Sequence, residues 1–555
     1  MAANTASVLR GDTPVTDYTL AIHPATDGFG SHDPSAVLFA DGSVAFGVEE
    51  ERLVREKHAP GTFPERAIRA CLGHGGLGLS DLDAVLVPWE PPDRAHGDAA
   101  PAGVATLEGR LAAMGRPVPP VETVNHHRCH AASAFYPSGF DEALVVTVDG
   151  RGTRDATVVW VGRGDDLRRV RTYEPPNSLG YLYAAVTGYL GYRVFGGEGK
   201  VMGLAPYGGE NSAIESRLRS VVDTGVDYDV TPLVGGGIQG GIDRLAELFD
   251  RPRSAPRASE WERDLAHATQ RLLEETVLDI CRTYCARYGL SDVCLAGGVA
   301  LNCKLNQRVA ESPPVERLFV QPVAGDAGAP LGAGFLHGND PGTMATVYWG
   351  PSYSRQAVRR CLDRHGLAYD RPADLPHAVA RLLADGAIVG WIRGRLEMGP
   401  RALGNRSVLA DPRSADARHR VNAFVKGREA WRPCAPSLLA EAAPDYLERP
   451  AAAPYMIRTF DVPPETRREI PAVVHPADGT TRPQTVREAH NPRFYRLLAA
   501  FEEVTGVPVV LNTSFNRRGD PIVATPEEAV GTFLDVGLDA LVVDEFLVGA
   551  DAAGR

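Results

Sequence analysis

The sequence predicts an α/β protein of two domains, and three observations lead to that expectation. The chain has 555 residues, too many for one hydrophobic core and suited to two to four domains of about 150 residues each. Apolar residues make up 44% and charged residues 23%, which excludes the fibrous and disordered classes. Strand-like runs alternate with glycine-rich loops and helix-like stretches along the whole chain.

The elements of the first half follow one another in an order typical of a mixed sheet. Asp41-Gly42 is a hairpin signal between two of the strands. Residues 90–120, rich in Pro, Ala and Gly, are expected to form an exposed insertion or a loose helix. The predicted strands are 18–23, 35–39, 44–48, 83–88 and 143–148, and the predicted helices are 64–71 and about 258–289.

The second half is predicted to begin where the chain becomes rich in turn residues, near 336–352. This places the two domains at 17–345 and 346–550. The predicted elements there are a helical stretch at 353–384, strands at 388–392, 509–512 and 541–543, and a helix that starts at Pro526.

Charge and cysteine content narrow the function classes. The net charge of -12 argues against a dedicated binder of nucleic acid or anionic membranes. The first sixteen residues lack the apolar centre of a signal peptide, and no run approaches the roughly 20 apolar residues of a transmembrane helix. Eight cysteines without a CxxC pair indicate buried thiols in a reducing compartment. We therefore expect a cytoplasmic protein.

The basic residues are divided unevenly, since only four of the 58 lysines and arginines are lysine. An ammonium is a compact point charge, whereas a guanidinium is a wide planar fork. We predict that Lys57 and Lys426 tolerate arginine poorly. Lys200 and Lys304 are either functional or structural.

Three glycine loops next to strands are typical of a nucleotide-clamping fold. One joins the strands at 18–23 and 35–39, the second contains Asp149-Gly150, and the third is Gly297-Gly298. Backbone N–H groups in such loops can face phosphate oxygens. A glycine turn between strands is usually only a turn, but the three in this order favour an actin/Hsp70-like ATPase core.

A histidine pair and a single histidine are candidates for chemistry in the first half. On a helix, His126 and His130 share a face and could chelate one transition metal, with Asp326 as an oxygen ligand. The alternative is that both are capping or core residues. His32 lies in the first glycine loop, where it could act as a general base. It could equally be a turn residue.

Two segments of the second half are candidates for anion binding. Residues 393–432 contain ten lysines and arginines against four acids, interleaved with prolines and glycines. This favours a preorganised anion pocket over a solvated charge run. Residues 511–516 end a strand in polar side chains and precede two arginines. Such a strand end suits ligand binding in an α/β sheet, or else forms a polar turn.

Together these blocks resemble the O-carbamoyltransferases of the NodU/CmcH type, whose members modify nodulation oligosaccharides, cephalosporins, aminoglycosides and macrolides. The resemblance covers about 18–550. It implies an N-terminal actin/Hsp70-like (ASKHA) domain with an iron ion and a C-terminal YrdC-like α/β domain. The matching blocks are 31–36, 49–52 with Lys57, 126–130, 199–206, 297–304, 397–407, 426–433 and 511–516.

The resemblance also implies a reaction and its residues. The C-terminal domain would convert carbamoyl phosphate and ATP, with Mg²⁺, to carbamoyl adenylate. The N-terminal domain would pass the carbamoyl group to a hydroxyl of a small acceptor, such as an antibiotic sugar, a macrolide or an aminoglycoside. The implied residues are His32 as base, Lys57 beside it, the iron ligands His126, His130 and Asp326, the N-terminal nucleotide loops with Asp149, Gly150, Gly297, Gly298 and Asn302, and the C-terminal ligands Arg401, Lys426, Arg432, Arg482 or Arg487, Asn512, Ser514, Asn516 and Arg518.

Two positions depart from the family pattern: Gly427 replaces a phenylalanine-like residue, and Cys434 replaces a bulkier one. Neither change removes a charge. Two other functions remain open, a tRNA threonylcarbamoyl transferase and a non-catalytic ATP-binding protein. The net negative charge argues against the tRNA-modifying enzyme. The presence of both an activating and an accepting domain argues against the non-catalytic protein. The acceptor stays unidentified, and the protein is either a monomer or a homodimer.

Overall fold

The N-terminal half contains two five-stranded sheets. The computed structural model describes residues 17–26, 28–90, 100–253, 255–338 and 342–549. The strands of the first sheet are β1 (Tyr18–His23), β2 (Ser35–Ala40), β3 (Ser43–Glu49), β4 (Ala84–Val87) and β5 (Val121–Thr123), and those of the second are β6 (Glu142–Val148), β7 (Thr157–Arg163), β8 (Asp166–Tyr173), β9 (Asp292–Ala296) and β10 (Arg317–Val320).

Both sheets have the same topology. The first sheet has the strand order β3-β2-β1-β4-β5. Read from its opposite edge, the second sheet has the equivalent order β8-β7-β6-β9-β10. In each, three consecutive strands pair antiparallel, a fourth strand pairs parallel with the first of them, and a fifth pairs parallel with the fourth. This duplicated arrangement is the architecture of actin/Hsp70-like proteins, and it confirms the fold class predicted for this half.

The helices of this half fill the space around the two sheets. The longest begins with a capping box, in which Ser259 and Glu262 bond to each other's backbone N–H, and ends at Gly289 in the left-handed region. The helices are α1 (Glu50–Val54), α2 (Glu65–Gly75), α3 (Ala100–Met114), α4 (His126–Phe135), α5 (Leu179–Tyr189), α6 (Glu198–Leu204), α7 (Ser212–Arg219), α8 (Thr231–Val234), α9 (Gly237–Phe249), α10 (Glu260–Tyr288), α11 (Cys303–Ala310) and α12 (Ala329–Leu336).

The C-terminal half is an α/β domain around one seven-stranded mixed sheet of order β16-β13-β17-β12-β11-β18-β19. Its α/β class agrees with the predicted YrdC-like domain. In chain order its elements are α13 (Arg355–Arg364), α14 (Leu375–Ala384), β11 (Val389–Ile392), β12 (Arg406–Ala410), α15 (Ala415–Arg420), β13 (Ala435–Leu439), α16 (Ala443–Tyr446), β14 (Phe460–Asp461), α17 (Pro464–Glu469), β15 (Thr480–Thr481), β16 (Gln484–Val486), α18 (Pro492–Thr505), β17 (Val509–Ser514), α19 (Pro526–Val536), β18 (Ala540–Val543) and β19 (Phe546–Gly549).

Two sequence expectations are refined. The stretch 353–384 is two helices, because Gly366 adopts φ +64° after α13 and Asp374 caps α14. The expected insertion at 90–120 contains α3, while 91–99 lie outside the described residues. Among the described residues, no helix is long and apolar enough to cross a bilayer.

The two halves pack tightly against each other. Apolar side chains of the second half, including Met398 and Tyr455, belong to the same buried cluster as β6 and α5 of the first. A reciprocal pair of hydrogen bonds crosses the contact: Arg52 Nη2 donates to the Gly399 carbonyl at 2.7 Å, and Gly399 N–H donates to Glu49 Oε1 at 2.7 Å. Sites near this contact can therefore use residues of both halves.

Candidate active site

Four metal-ligand side chains from separate segments converge in the N-terminal half. His126 and His130 lie in α4, Asp149 follows β6, and Asp326 opens the turn before α12. One donor atom of each lies within 4.8 Å of the other three. The structure thus brings together the three predicted ligands. It adds Asp149, which the sequence had placed in a nucleotide loop.

Local geometry explains why α4 and α12 meet there. The Asn125 side chain caps α4 by accepting a hydrogen bond from Arg128 N–H at 3.0 Å. A Cβ on Gly332 of α12 would lie 1.7 Å from the Cys129 carbonyl oxygen. Only glycine lets the two helices approach this closely. The glycine-rich run after Asp326 therefore positions the carboxylate opposite the histidines.

The distances within this cluster fit a divalent ion. His130 Nε2 lies 3.1 Å from both His126 Nε2 and Asp149 Oδ2. Asp326 Oδ1 lies 3.5 and 3.7 Å from the two imidazole nitrogens. A tetrahedral shell with bonds of about 2.1 Å places its donor atoms roughly 3.4 Å apart.

Two further observations support a bound cation. His126 Nδ1 lies 3.0 Å from the Pro88 carbonyl oxygen, which keeps the proton on Nδ1 and leaves Nε2 free to ligate. Asp149 Oδ2 is buried and faces imidazole nitrogens, with His130 Nε2 at 3.1 Å and His126 Nε2 at 3.6 Å. Two imidazoles and two carboxylates are a donor set that first-row transition metals accept.

The electrostatics of the cluster favour ionised carboxylates. Burial alone would lower the pKa of His126, but the charges of Asp326 and Asp149 raise it to about 10. Burial and mutual repulsion would raise the pKa values of the two aspartates. The neighbouring histidines override both effects and hold these values below the usual range. Both carboxylates therefore stay ionised at neutral pH, and a cation that binds would displace the proton from His126 Nε2.

His23 links this cluster to the loop that carries His32. Its Nε2 lies 3.7 Å from Asp326 Oδ2 and 3.1 Å from the His32 carbonyl oxygen. A Cβ on Gly30 would lie 2.7 Å from the His23 ring, so this glycine lets the loop pass close to it. Burial lowers the pKa of His23 to about 4. This histidine was not among the predicted site residues.

His32 belongs to a hydrogen-bonded group centred on Asp33. The two carboxylate oxygens lie 2.9 Å from His32 Nδ1 and 2.7 Å from His58 Nδ1. Burial opposes protonation of His32, but the bond to Asp33 outweighs it and raises the pKa to about 9. Within the described residues no hydrogen bond engages His32 Nε2, which is therefore available to a substrate hydroxyl.

Lys57 is joined to the same group through Glu51. Its Nζ donates to Glu51 Oε1 at 3.1 Å, and the other oxygen accepts the His58 N–H at 2.7 Å. The charge of Lys57 also contributes to the lowered pKa of Lys426. The predicted functional lysine is thus joined to the His32 group by contacts through Glu51, and its charge acts on Lys426 of the C-terminal half.

The glycine loops allow close backbone contacts. Gly297 adopts φ +88°, and a Cβ there would lie 2.3 Å from the Val148 carbonyl oxygen. Gly150 N–H donates to Asp149 Oδ1 at 2.7 Å, which orients the carboxylate. Asn302 caps α11 through Leu305 N–H and exchanges hydrogen bonds with Gln270. Its amide is thus engaged in local structure, and its role in nucleotide binding stays a prediction.

In the C-terminal half, five cations lie close enough for their charges to act on one another. Arg401 Nε is buried without a hydrogen-bond partner among the described residues. Burial, followed by neighbouring positive charges, lowers the pKa of Arg401 to about 9 and that of Arg432 to about 10. We call this set the cation cluster, and its members are Arg401, Lys426, Arg428, Arg432 and Arg482.

The cation cluster has few protein counter-charges. Glu429 Oε2 lies 3.9 Å from Arg432, while its Oε1 accepts from Lys200 at 3.2 Å. Buried positive charges without carboxylate partners are costly. A bound anion such as a phosphate would relieve that cost. Arg428 was not among the predicted ligands, although it lies two residues after Lys426.

Lys426 is held in a ring of oxygen atoms on β17 and the loop after it. Its Nζ donates to the Ser514 carbonyl, to Ser514 Oγ at 3.1 Å and to Asn516 Oδ1 at 2.5 Å. Burial, then Arg428 and Arg432, lowers its pKa well below the usual range for lysine. The structure thus joins three of the predicted residues in one contact.

The remaining predicted ligands are placed differently. Asn512 is buried and donates to Ser437 Oγ at 2.8 Å, while its Oδ1 has no partner among the described residues. Arg518 is exposed and donates to the Gly427 carbonyl at 2.8 Å. Of the two alternatives in the loop near β16, Arg482 belongs to the cation cluster. Arg487 is exposed and lines a separate small cavity with Tyr348.

Two family models match this chain. The model described as carbamoyltransferase N-terminus covers residues 104–335, and the one described as carbamoyltransferase C-terminus covers 380–549. The chain belongs to the carbamoyltransferase family. The predicted family and enzyme class are therefore confirmed, and the alternative of a non-catalytic ATP-binding protein is wrong.

Curated relatives of this carbamoyltransferase match over most of their length. Nodulation protein NolNO of Sinorhizobium fredii is 38% identical over 93% of this chain and 79% of its own. An uncharacterized protein, sll1178 of Synechocystis, is 36% identical over 94% and 95%. Nodulation protein U of Bradyrhizobium diazoefficiens is 26% identical over 88% and 91%.

Solved structures match the carbamoyltransferase more weakly. HypF of T. kodakarensis is 17% identical over 59% of this chain and 50% of its own, with a TM-score of 0.32. Component A of the Acidaminococcus fermentans (R)-2-hydroxyglutaryl-CoA dehydratase is 16% identical over 57% and 97%, with a TM-score of 0.34. The fold is therefore assigned on the strand orders of its own sheets.

Proposed function

We propose that this carbamoyltransferase activates carbamoyl phosphate with ATP in its C-terminal domain and transfers the carbamoyl group in its N-terminal domain. Carbamoyl phosphate, ATP and one water give carbamoyl adenylate, pyrophosphate and phosphate. The acceptor hydroxyl then attacks the carbamoyl carbon and releases AMP. We propose a small hydroxylated natural product as acceptor, such as an antibiotic sugar, a macrolide or an aminoglycoside.

The observation that carries the first step is the cation cluster. Two phosphorylated substrates bring several negative charges to one place, and this cluster has unpaired donors to receive them. Arg401 has no hydrogen-bond partner for its buried Nε among the described residues. Guanidinium forks bind phosphate oxygens in pairs and stabilise the charge that develops on a leaving phosphate.

The second step is assigned to the N-terminal half because the base and the metal-ligand cluster lie together there. Asp33 holds Nδ1 of His32, so that Nε2 can take the proton of the acceptor hydroxyl. His126, His130, Asp149 and Asp326 would hold a divalent metal, which we propose to be Fe²⁺ from the family resemblance. When bound, the metal would supply Lewis acidity toward the carbamoyl carbonyl.

The contact between the two halves supports passage of the adenylate from one step to the other. Lys57 faces the His32 group through Glu51, and its charge acts on Lys426 of the cation cluster. Lys200 of the first half binds Glu429 beside Arg432. These contacts place positive charge between the sites of the two proposed steps.

Isotope exchange tests the proposal. Labelled pyrophosphate should enter ATP only when carbamoyl phosphate is present. Arg401→Met should abolish this exchange, because it removes a guanidinium whose buried Nε has no hydrogen-bond partner among the described residues. His32→Asn should keep the exchange but lose carbamoyl transfer to any acceptor. Absence of carbamoyl-phosphate-dependent exchange with the wild-type protein would refute the activation step.

A further inference from the structure

Phe195 is an exposed aromatic side chain beside the candidate base. Its side chain is 43% exposed, and among the described residues Val504 is the other large hydrophobic residue with comparable exposure. The Phe195 ring centroid lies 4.8 Å from that of His32, with a 35° angle between the planes. An exposed phenylalanine at this place is therefore in reach of whatever binds to the His32 imidazole.

The loop holds Phe195 there against its own backbone preference. Phe195 has φ +59°, a left-handed conformation that bulky side chains rarely adopt. Glu198 stabilises it, because its carboxylate accepts the N–H of Phe195 at 2.9 Å and that of Gly196 at 2.7 Å. Strain of this kind persists where the surrounding structure over-determines it, and it often marks a functional site.

The same loop contacts the rest of the transfer site. A Cβ on Gly196 would lie 3.4 Å from His58 Nε2, so the loop packs on the second imidazole held by Asp33. A Cβ on Gly197 would lie 2.6 Å from the Arg193 carbonyl oxygen, which requires glycine there. The following helix, α6, carries Lys200, which binds Glu429 of the C-terminal half. The Phe195 loop thus lies between the base and the cation cluster.

We infer that Phe195 binds the acceptor by stacking against the C–H face of a hydroxylated ring, and thereby places a ring hydroxyl at His32 Nε2. The inference rests on the proposed function and specifies its substrate class. A sugar or cyclitol ring has an apolar face for the phenyl ring and hydroxyl groups along its edge. An open-chain polyol has the same hydroxyls without a flat face, so it gains little from Phe195.

The test compares Phe195→Ala, Phe195→Leu and Phe195→Tyr in the full-length enzyme. The acceptor probes are tobramycin, methyl α-D-mannopyranoside and uridine, with sorbitol as the acyclic probe. Binding is followed by saturation-transfer NMR, and transfer by the carbamoyl mass increment. Val504→Ala is the matched control for loss of an exposed apolar side chain.

Wild-type protein should saturate the ring protons of at least one cyclic probe and bind sorbitol more weakly. Phe195→Ala should raise the KM or Kd for that probe roughly two- to tenfold with kcat changed less than threefold, the size expected for loss of one aromatic stacking contact. Phe195→Tyr should keep wild-type affinity because it retains an aromatic ring, whereas Phe195→Leu should lose affinity as Phe195→Ala does. Pyrophosphate exchange and the melting temperature should stay at wild-type values in all variants.

Several results overturn the inference. For the variants, these are an unchanged Kd in Phe195→Ala, wild-type affinity in Phe195→Leu, or a loss of affinity in Val504→Ala as large as that in Phe195→Ala. For the wild-type protein, they are failure to bind any cyclic probe or tighter binding of sorbitol than of the cyclic probes. In each case, intact pyrophosphate exchange separates this failure from failure of the proposed activation step, in which exchange itself would be missing.

Discussion

Replacing Lys426 by methionine removes one positive charge from the cation cluster at nearly constant side-chain length. The ammonium is buried and donates to oxygen atoms of Ser514 and Asn516. No carboxylate is among these contacts. In the absence of substrate, the charge is therefore poorly compensated, and burial lowers the pKa of Lys426 well below its usual range. The charge becomes favourable when a phosphate binds.

The expected loss of activity follows from the interaction of one charge with a phosphate. At about 4 Å and an effective dielectric constant of about 20, that interaction is worth about 4 kcal/mol. Desolvation of the lysine offsets part of it, which leaves about 2–4 kcal/mol. Lys426→Met should thus lower kcat/KM for carbamoyl phosphate by roughly 30- to 1,000-fold. Lys426→Arg keeps the charge but overpacks a site where Nζ already lies 2.5 Å from Asn516 Oδ1.

Lys426→Met should lower activity without lowering the stability of the folded protein, and the pH dependence of unfolding shows why. In the unfolded chain a lysine has a pKa of roughly 10.4, whereas burial lowers the pKa of Lys426 in the folded protein. Between these two pH values the unfolded state binds more protons, so the free energy of unfolding of the wild-type protein rises with pH. Lys426→Met should remove this contribution and unfold no more easily than wild type.

The assay is carbamoyl-phosphate-dependent pyrophosphate exchange, together with denaturant unfolding between pH 7 and pH 10. Arg359→Ala is the control, because this exposed arginine of α13 pairs with Asp363 of its own helix and is not among the predicted ligands. It should leave exchange within about threefold of wild type. If Lys426→Met also stays within threefold, or if it destabilises the protein while leaving exchange intact, Lys426 does not bind the anion.

Three further predictions address the transfer site and the contact between the halves. His130→Ala should lower bound metal, measured by elemental analysis, and abolish carbamoyl transfer while leaving pyrophosphate exchange intact. Loss of both activities would contradict separate domain roles. Asp33→Asn removes the bond that raises the pKa of His32 to about 9. The pH range in which the rate of carbamoyl transfer rises should therefore move to lower pH. An unchanged dependence of the transfer rate on pH would exclude His32 as the base. Lys304→Met removes the ion pair to Asp478 across the halves and should lower the melting temperature by a few degrees without changing the metal content. An unchanged melting temperature would show that this pair does not hold the halves together.

Much of the fold was readable from local patterns. Strand-like runs and the Asp41-Gly42 hairpin signal predicted β1–β3, and the helix-like stretch at about 258–289 predicted α10. These features depend on neighbours within a few residues, which a sequence displays directly. The break between α13 and α14 was missed, because one left-handed glycine ended a pattern that looked continuously helical.

The sequence by itself determined the candidate residues that depend on local spacing or family motifs. His126 and His130 were recognisable as a candidate ligand pair because one helical turn places them on one face. The cation-rich segment was recognisable as a candidate anion site because its prolines and glycines argued against a solvated helix face. The placement of all four lysines in family blocks was also visible in the sequence.

Only the tertiary structure decided which distant residues join those groups. Asp149 enters the metal-ligand cluster because β6 ends beside α4, and Arg482 rather than Arg487 enters the cation cluster. The strand order of a sheet and the packing of two helices bring such residues together, and neither leaves a mark at fixed sequence spacing. For the same reason Lys200 and Lys304 proved to be contacts between the two halves, with partners in the C-terminal domain that no local pattern could reveal.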